Sequence, residues 1–286
     1  MISACVREVP FTPKTKMNPV PVFHMYINPD SPSRATFWRS SQILENPVFI
    51  SDAQIELMKN GISAATMNHI VSGNYAAAKI FKPGDSFSVN VQHTLGSFTV
   101  NGQIPSRVVI PALDTATGLV AGVGRSFIMR VTIADSARYE NQYRLYVTKT
   151  YYQYIYDFMG VLADSMIQES IVSIGGRELP FLQNNFNNYT SRELLFTDAT
   201  FNGVNQKLEF YTTDKLVKTN YQRPLKLTVH LENTDPFLYN YYNTRNAHLW
   251  QQQSITQIPG ALQGNIPGGY GVTGAFTEAV WQVILP

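Results

Sequence analysis

Residues 246–277 contain no Asp, Glu, Lys or Arg. The stretch is not a membrane span, because Pro259, Pro267, Gly260, Gly264, Gly268, Gly269, Gly271 and Gly274 interrupt it. Charge keeps exposed segments hydrated and apart from copies of themselves. A long neutral segment with turn residues and scattered Leu, Ile, Trp and Tyr is therefore expected to lie against other protein, as part of a subunit in an ordered assembly.

The whole chain shares this bias. Of its 286 residues 15% are charged, against roughly 25% in an average soluble domain. Hydrophobic residues at 44% and aromatics at 12% exclude a disordered chain and provide area for a core. A net charge of +2 does not predict a nucleic-acid surface. The single cysteine, Cys5, can form no intramolecular disulfide, and no cysteine cluster could hold zinc. Met1–Val9 carries Arg7 and Glu8 and lacks an apolar core, so no signal peptide is expected and the chain reads as folded in a reducing cytoplasm. Asn188-Tyr189-Thr190 matches a glycosylation acceptor but has no role without a secretory route.

Six of the 16 prolines lie in residues 1–33, which read as an extended N-terminal arm with Arg7, Lys14 and Lys16 as its positive charge; Phe23–Ile27 could add an edge strand. The body is residues 34–286, with Gly160 the best boundary between two halves and residues 246–277 a neutral loop or arm. A helix is expected after Ser51, which fits a capping box with Gln54, because Ile55, Ile62, Ala65, His69 and Ile70 recur at helical spacing up to Gly73. From Asp85 the period becomes two, with Phe87, Val89 and Val91 alternating with Ser88 and Asn90. Asn101-Gly102, Asn202-Gly203 and Gly175-Gly176 read as turns between strands. Further strands are expected at 127–133, 143–148, 151–156, 225–231 and 279–285, and short helices at Asp157–Gln168 and after Asp235-Pro236, where Asp caps and Pro opens the first turn. About a dozen strands with Gly, Pro and Asn turns make the chain mainly β, a sandwich or barrel.

No motif carries a definite chemistry. Gly118–Ser126 lacks the lysine of a phosphate loop and opens a strand at Phe127, so it reads as a small-residue turn. His230 and Glu232 leave one face of a strand, as two metal ligands would, but His24, His69, His93 and His248 complete no pattern and a polar outward face is the better reading. Asp157, Asp164 and Glu169 are the carboxylates that a glycan hydrolase would need; a solvated face accounts for them. No cofactor is expected, and the chain reads as a non-enzyme. Tyr139, Tyr143, Tyr146, Tyr151, Tyr152, Tyr154 and Tyr156 crowd into 18 residues, with Tyr239, Tyr241 and Tyr242 forming a second cluster. Cross-strand aromatic pairs meeting a subunit interface explain them better than a nucleic-acid platform, for which only Arg138, Arg144 and Lys149 are near. Tyr151, Tyr152, Tyr154, Tyr241, Tyr242, Trp250 and Tyr270 are the interface candidates.

The proline-rich start, the β-rich body, the neutral C-terminal region and the lack of export or catalytic signatures together resemble jelly-roll major capsid proteins of tailless icosahedral phages and related double-stranded DNA viruses. The resemblance implies a jelly-roll β-barrel, single with insertions or double, that self-assembles into an icosahedral virion shell through arms. Its partners would be copies of itself as trimers or larger assemblies, other virion proteins and an internal membrane, with no sequence-specific nucleic acid. A phage tail, spike or baseplate β-protein binding a host glycan or protein is the alternative, and a β-sandwich glycan hydrolase the third.

Overall fold

The structure is a computed structural model that describes residues 18–41, 46–120, 123–136, 140–176, 192–213, 216, 219–251 and 261–285. The chain is mainly β, with sandwich-like open sheets. Its N-terminal strands are β1 (Pro21–Ile27), β2 (Ser33–Arg39), β3 (Val48–Phe49), β4 (Gln54–Lys59), β5 (Ile62–Thr66), β6 (Asn68–Val71), β7 (Asn74–Ala77), β8 (Ser86–Gln92) and β9 (Phe98–Gln103). Then follow β10 (Val109–Val120), β11 (Gly124–Ala134), β12 (Gln142–Tyr156), β13 (Leu162–Ile171), β14 (Ile174–Gly176), β15 (Glu193–Thr197), β16 (Gln206–Thr212), β17 (Gln222–Thr234), helix α1 (Pro236–Gln251) and β18 (Tyr270–Ile284).

One large sheet runs β13-β12-β17-β18-β1-β2-β7-β6, with β15 attached to β12 and β3 to β2. Two four-stranded sheets, β5-β4-β8-β9 and β10-β11-β16-β14, accompany it. Period-two patterning explains the layers, since successive side chains leave a strand on opposite faces. Phe23, Met25, Ile27 and Phe37 meet Ile55, Leu57, Phe87, Val89, Val91 and Phe98 in one core, where Phe23 packs edge-on to Phe37 and Phe98 with centroids 5.6 and 5.5 Å apart. Met129, Val131, Ile133, Leu208 and Phe210 meet Leu145, Val147, Leu227, Val229 and Leu231 in the other. The cores divide around residues 104–108, and Gly160, the expected boundary, lies in the turn of the β12–β13 hairpin.

A polar knot ties that junction. The Ser106 carbonyl accepts hydrogen bonds from Asn233 Nδ2 (3.1 Å) and Thr277 Oγ1 (2.6 Å), while Asn233 Nδ2 also donates to Asn141 Oδ1 (2.8 Å). Asp198 Oδ2 accepts from the Asn141 backbone N–H at 2.8 Å.

β18 joins the two halves. Tyr270–Ala275 pairs parallel with β1, and Phe276–Ile284 pairs antiparallel with β17. Gly271 permits the close approach: its φ is +108°, and a Cβ there would lie 2.0 Å from the Phe23 carbonyl oxygen.

Several expectations are corrected. Residues 51–73 form strands rather than a helix, because Asn60-Gly61 (φ 50° and 81°) and Ser72-Gly73 (φ 48° and 71°) both adopt the left-handed conformation and turn the chain. Asn101-Gly102 lies inside β9, where Gly102 leaves room for the Phe87 ring, 2.4 Å from where a Cβ would sit. Gly175-Gly176 lies in β14 against Tyr211, and Asn202-Gly203 turns between strands that do not pair with each other. Asp157–Gln168 is a hairpin, not a helix. The arm assigned to 1–33 is an interior strand from Pro21 onward, and the neutral segment 246–277 contributes the end of α1 and the first half of β18. Cys5, Arg7, Lys14, Lys16, Arg138, Tyr139 and Asn188 lie outside the described residues.

The helix after Asp235-Pro236 forms as expected. Asp235 Oδ1 accepts the Leu238 N–H at 2.8 Å as the N-cap, and its other oxygen accepts the Ala275 N–H at 2.7 Å, fixing α1 to β18.

Candidate functional site

The outer face of the large sheet carries a dense polar cluster. Arg144 on β12 lies opposite Glu232 on β17, which lies opposite Glu278 on β18. The next row holds Tyr146, His230 and Val280. Helix α1 adds Tyr242 and Arg245, and β15 adds Glu193.

Arg144 Nε donates to Glu193 Oε2 at 2.5 Å, and its NH1 donates to both Glu232 oxygens at 3.0 and 3.2 Å. Arg245 NH2 holds the other Glu193 oxygen at 2.5 Å. The Tyr242 ring lies between the two guanidiniums, 4.3 Å from Arg144 and 4.7 Å from Arg245. Burial works against the charges of Glu232, Glu193 and Arg144. It pushes the Glu232 carboxyl up to about 7, Arg144 pulling back and Glu278 and Glu193 adding to the rise. At Glu193 burial also pushes upward, but Arg144 and Arg245 outweigh it and hold the carboxyl below its ordinary value. For Arg144, burial is overcome by Glu232, Tyr242 and Glu193, so its pKa is raised.

Beside this cluster, Thr148 Oγ1 lies 3.1 Å from His230 Nε2, and His230 Nδ1 lies 2.7 Å from Glu278 Oε1. The order hydroxyl, imidazole, carboxylate is that of a nucleophile relay. The hydrogen-bond directions differ. Thr148 Oγ1 also donates to Glu169 Oε1 at 2.6 Å, so its single proton is directed at a carboxylate and not at the imidazole. Tyr146 stacks flat on the ring at 4.5 Å and 1°. The row is a closed ladder of bonds suited to holding strands together.

His230 and Glu232 share a face, as the sequence predicts, but each is engaged by protein partners, and among the described residues no group of three or more His, Cys, Asp or Glu is placed to hold a metal ion. The three candidate carboxylates do not flank a cleft. Asp157 accepts backbone N–H groups in the hairpin turn, Asp164 accepts from the Ser165 N–H, and Glu169, five residues along β13 from Asp164, faces the other way.

The interface tyrosines separate. Tyr151, Tyr241 and Tyr242 are buried within the subunit, Tyr151 against Lys149 and Gln168. Tyr152 and Tyr154 are half-buried on β12, and Trp250 lies in the last turn of α1. Tyr270 is 57% exposed, and it begins a row that runs Tyr270–Val22–Trp38–Phe49 across β18, β1, β2 and β3 on the outer face. Phe49 is 51% exposed, and Trp38 stacks on His24 at 5.3 Å and 17°. The sequence offered a signal for this row in the Phe37-Trp38 and Val48-Phe49 pairs, but not the register that aligns them.

The buried carboxylates set a pH dependence. Burial raises Asp235, like Glu232, to about 7 despite the N–H groups it accepts. The folded chain therefore holds more protons than the unfolded chain between about pH 4 and 7, so this contribution to stability is present at the acid end and is lost as pH rises through 7. Glu193 acts oppositely, but only as pH falls below its ordinary range. We expect thermal unfolding at pH 5 on the order of 5 °C above that at pH 8, and Glu232→Gln to shrink the gap; an unchanged gap in that variant refutes the assignment.

Among solved structures, a β-glucuronidase of Parabacteroides merdae aligns at 9% identity over 76% of this chain and 23% of that one, with a TM-score of 0.20. The chain thus spans less than a quarter of that enzyme's length. No curated protein matches the sequence. Residues 8–281 match a family described as a domain of unknown function, DUF4249, and the chain belongs to that family.

Proposed function

We propose that this chain is a structural subunit that acts by binding copies of itself rather than by catalysis. The observation that carries the reading is the apolar row Tyr270–Val22–Trp38–Phe49, whose ends Tyr270 and Phe49 are exposed while Trp38 is half-buried and Val22 buried between them, with the exposed Tyr26 on the same face of β1. Tyr, Trp and Phe are the residues enriched where subunits meet, and contiguous exposed apolar area marks such surfaces. Low charge suits the role, since each charge taken into a contact must be paired or left desolvated.

The narrower form of this reading is a virion coat subunit with a jelly-roll body, in which the same face meets neighbours in an icosahedral shell. It differs from a tail or spike role in producing closed particles of uniform mass.

Mass photometry of the purified chain tests the proposal. Trimers or larger species are expected at micromolar concentration. The double variant Phe49→Glu, Tyr270→Glu, both exposed, is expected to weaken association by about tenfold or more while leaving the melting temperature unchanged. A wild-type chain that stays monomeric at high concentration removes the reading.

A further inference from the structure

We infer that Asp135 and Asp198 hold one proton between them, a pH-sensitive latch that fastens the β15–β16 connection at the junction of the two cores. Asp198 follows β15 and is 0% exposed, while Asp135 follows β11 and is half-buried. One nitrogen brings them together, since Asn141 Nδ2 donates to Asp135 Oδ1 and to Asp198 Oδ2, each at 3.0 Å. The two carboxyl groups lie within hydrogen-bonding reach of each other. Donors are shared unevenly. Asp135 also takes the Tyr143 hydroxyl at 2.6 Å and the Gly203 N–H at 2.7 Å, and Asp198 Oδ2 takes the Asn141 N–H at 2.8 Å. Asp198 Oδ1 is buried and meets no donor among the described residues.

An orphaned oxygen on a buried carboxylate beside a second carboxylate is unfavourable twice, through lost hydration and through like charge. A single proton relieves both: it neutralises one of the pair and supplies the hydrogen bond that Oδ1 lacks. Asp198 is its natural holder. Burial raises this carboxyl above its ordinary value, the two Asn141 bonds pull it back, and Asp135 pushes it up again. Three donors suit Asp135 to be the anion of the pair. Arg107, beside Ser106, does not serve instead, because both its NH groups are bonded to Asp30 at 2.8 Å. Of the other ionisable groups on the surrounding elements, Tyr143 keeps its proton through burial and its bond to Asp135, Glu140 is exposed, and Asp235 is engaged by the Leu238 and Ala275 N–H groups.

The latch closes a particular segment. The Asp198 N–H donates to the Asn141 carbonyl at 3.2 Å, its carbonyl accepts the Phe201 N–H at 2.7 Å, and Gly203 is tied to Asp135. Phe201 is thereby held against Tyr143 and Phe196, with centroids 6.4 and 6.5 Å away. Asn141 carries the restraint into the polar knot, where its Oδ1 accepts from Asn233. Loss of the proton leaves two adjacent anions, one without water, and the repulsion is relieved when residues 198–204 swing out and hydrate Asp198. The folded chain binds this proton more tightly than the unfolded chain. The latch therefore holds at acid pH and is lost as pH rises through the raised value.

The test compares the full chain with Asp198→Asn, whose amide can donate to Asp135 as the proton does. Glu232 and Asp235 are unchanged in both, so the difference between the two proteins isolates the pair. In the wild type, hydrogen exchange at Phe201 and Gly203, corrected for base catalysis, is expected to quicken by about tenfold or more between pH 5 and pH 8. In Asp198→Asn that increase should vanish, with a melting temperature at pH 8 equal to or above that of the wild type. Asp135→Asn, which neutralises the other member, should remove the increase as well. In carbon-13 spectra of aspartate-labelled chain, the resonance missing from Asp198→Asn should titrate above the ordinary aspartate range. Titration within that range overturns the inference, and so does an equal pH response of exchange in the wild type and both variants. Millimolar calcium chloride that raises the melting temperature of the wild type but not of Asp198→Asn also overturns it, by placing a metal ion rather than a proton between the carboxyls.

Discussion

Replacing Arg144 with methionine will lower the unfolding free energy at pH 8 by about 3–5 kcal/mol, the usual consequence of stranding buried charges by removing one partner. Among the described residues Arg144 is the one cation bonded to Glu232, and it shares Glu193 with Arg245. At pH 5 the loss should be smaller, because Glu232, already pushed up to about 7 by burial, can take a proton instead of standing as an uncompensated anion. The double variant Arg144→Met, Glu232→Gln should recover part of the loss at pH 8. Urea unfolding at the two pH values measures this. Equal losses at both pH values, or no recovery in the double variant, would show that the ion cluster is not the latch between α1, β15 and the sheet.

Gly271→Ala is expected to be as damaging, through a different cause. The residue holds φ at +108°, where a Cβ is strained by about 1–3 kcal/mol. That Cβ would also lie 2.0 Å from the Phe23 carbonyl oxygen. Either β18 moves away from β1 or the backbone at Gly271 changes conformation. Both weaken the parallel pairing of Val22–Ile27 with Tyr270–Ala275. A loss of about 3 kcal/mol or more follows, with hydrogen exchange accelerating at β1 before β12. A substitution without effect would mean that the register across these strands is wrong.

What the sequence disclosed depended on whether the signal was local. Phe87, Val89 and Val91 alternate and bury as alternation requires, and Asp235-Pro236 opens α1 as capping chemistry dictates. The expected helix over residues 51–73 rests on the helical spacing of Ile55, Ile62 and His69, but that spacing is interrupted by Asn60-Gly61. It is a hairpin signal of the kind credited elsewhere in the chain. Asn101-Gly102 misled in the opposite direction, since its glycine makes space for Phe87 across the sheet, a partner that spacing does not reveal. The ion cluster was hidden for the same reason: Arg144, Glu193, Glu232 and Arg245 are distant in sequence and meet through strand register. In a chain this poor in charge, a charged residue at the end of an apolar strand, such as Glu232 after Leu231, was the clue available.

β1 and β18 place nearly the first and the last described residues side by side. During synthesis at about 5–20 residues per second, β1 must wait roughly 12–50 s before its β18 neighbour exists. In that interval Phe23, Met25 and Ile27 belong to a sheet with one side missing. Completion of the N-terminal core is thus coupled to synthesis of residues 270–275, and a nascent chain stalled anywhere before residue 270 offers an unfilled strand position that a chaperone or a neighbouring nascent chain can occupy.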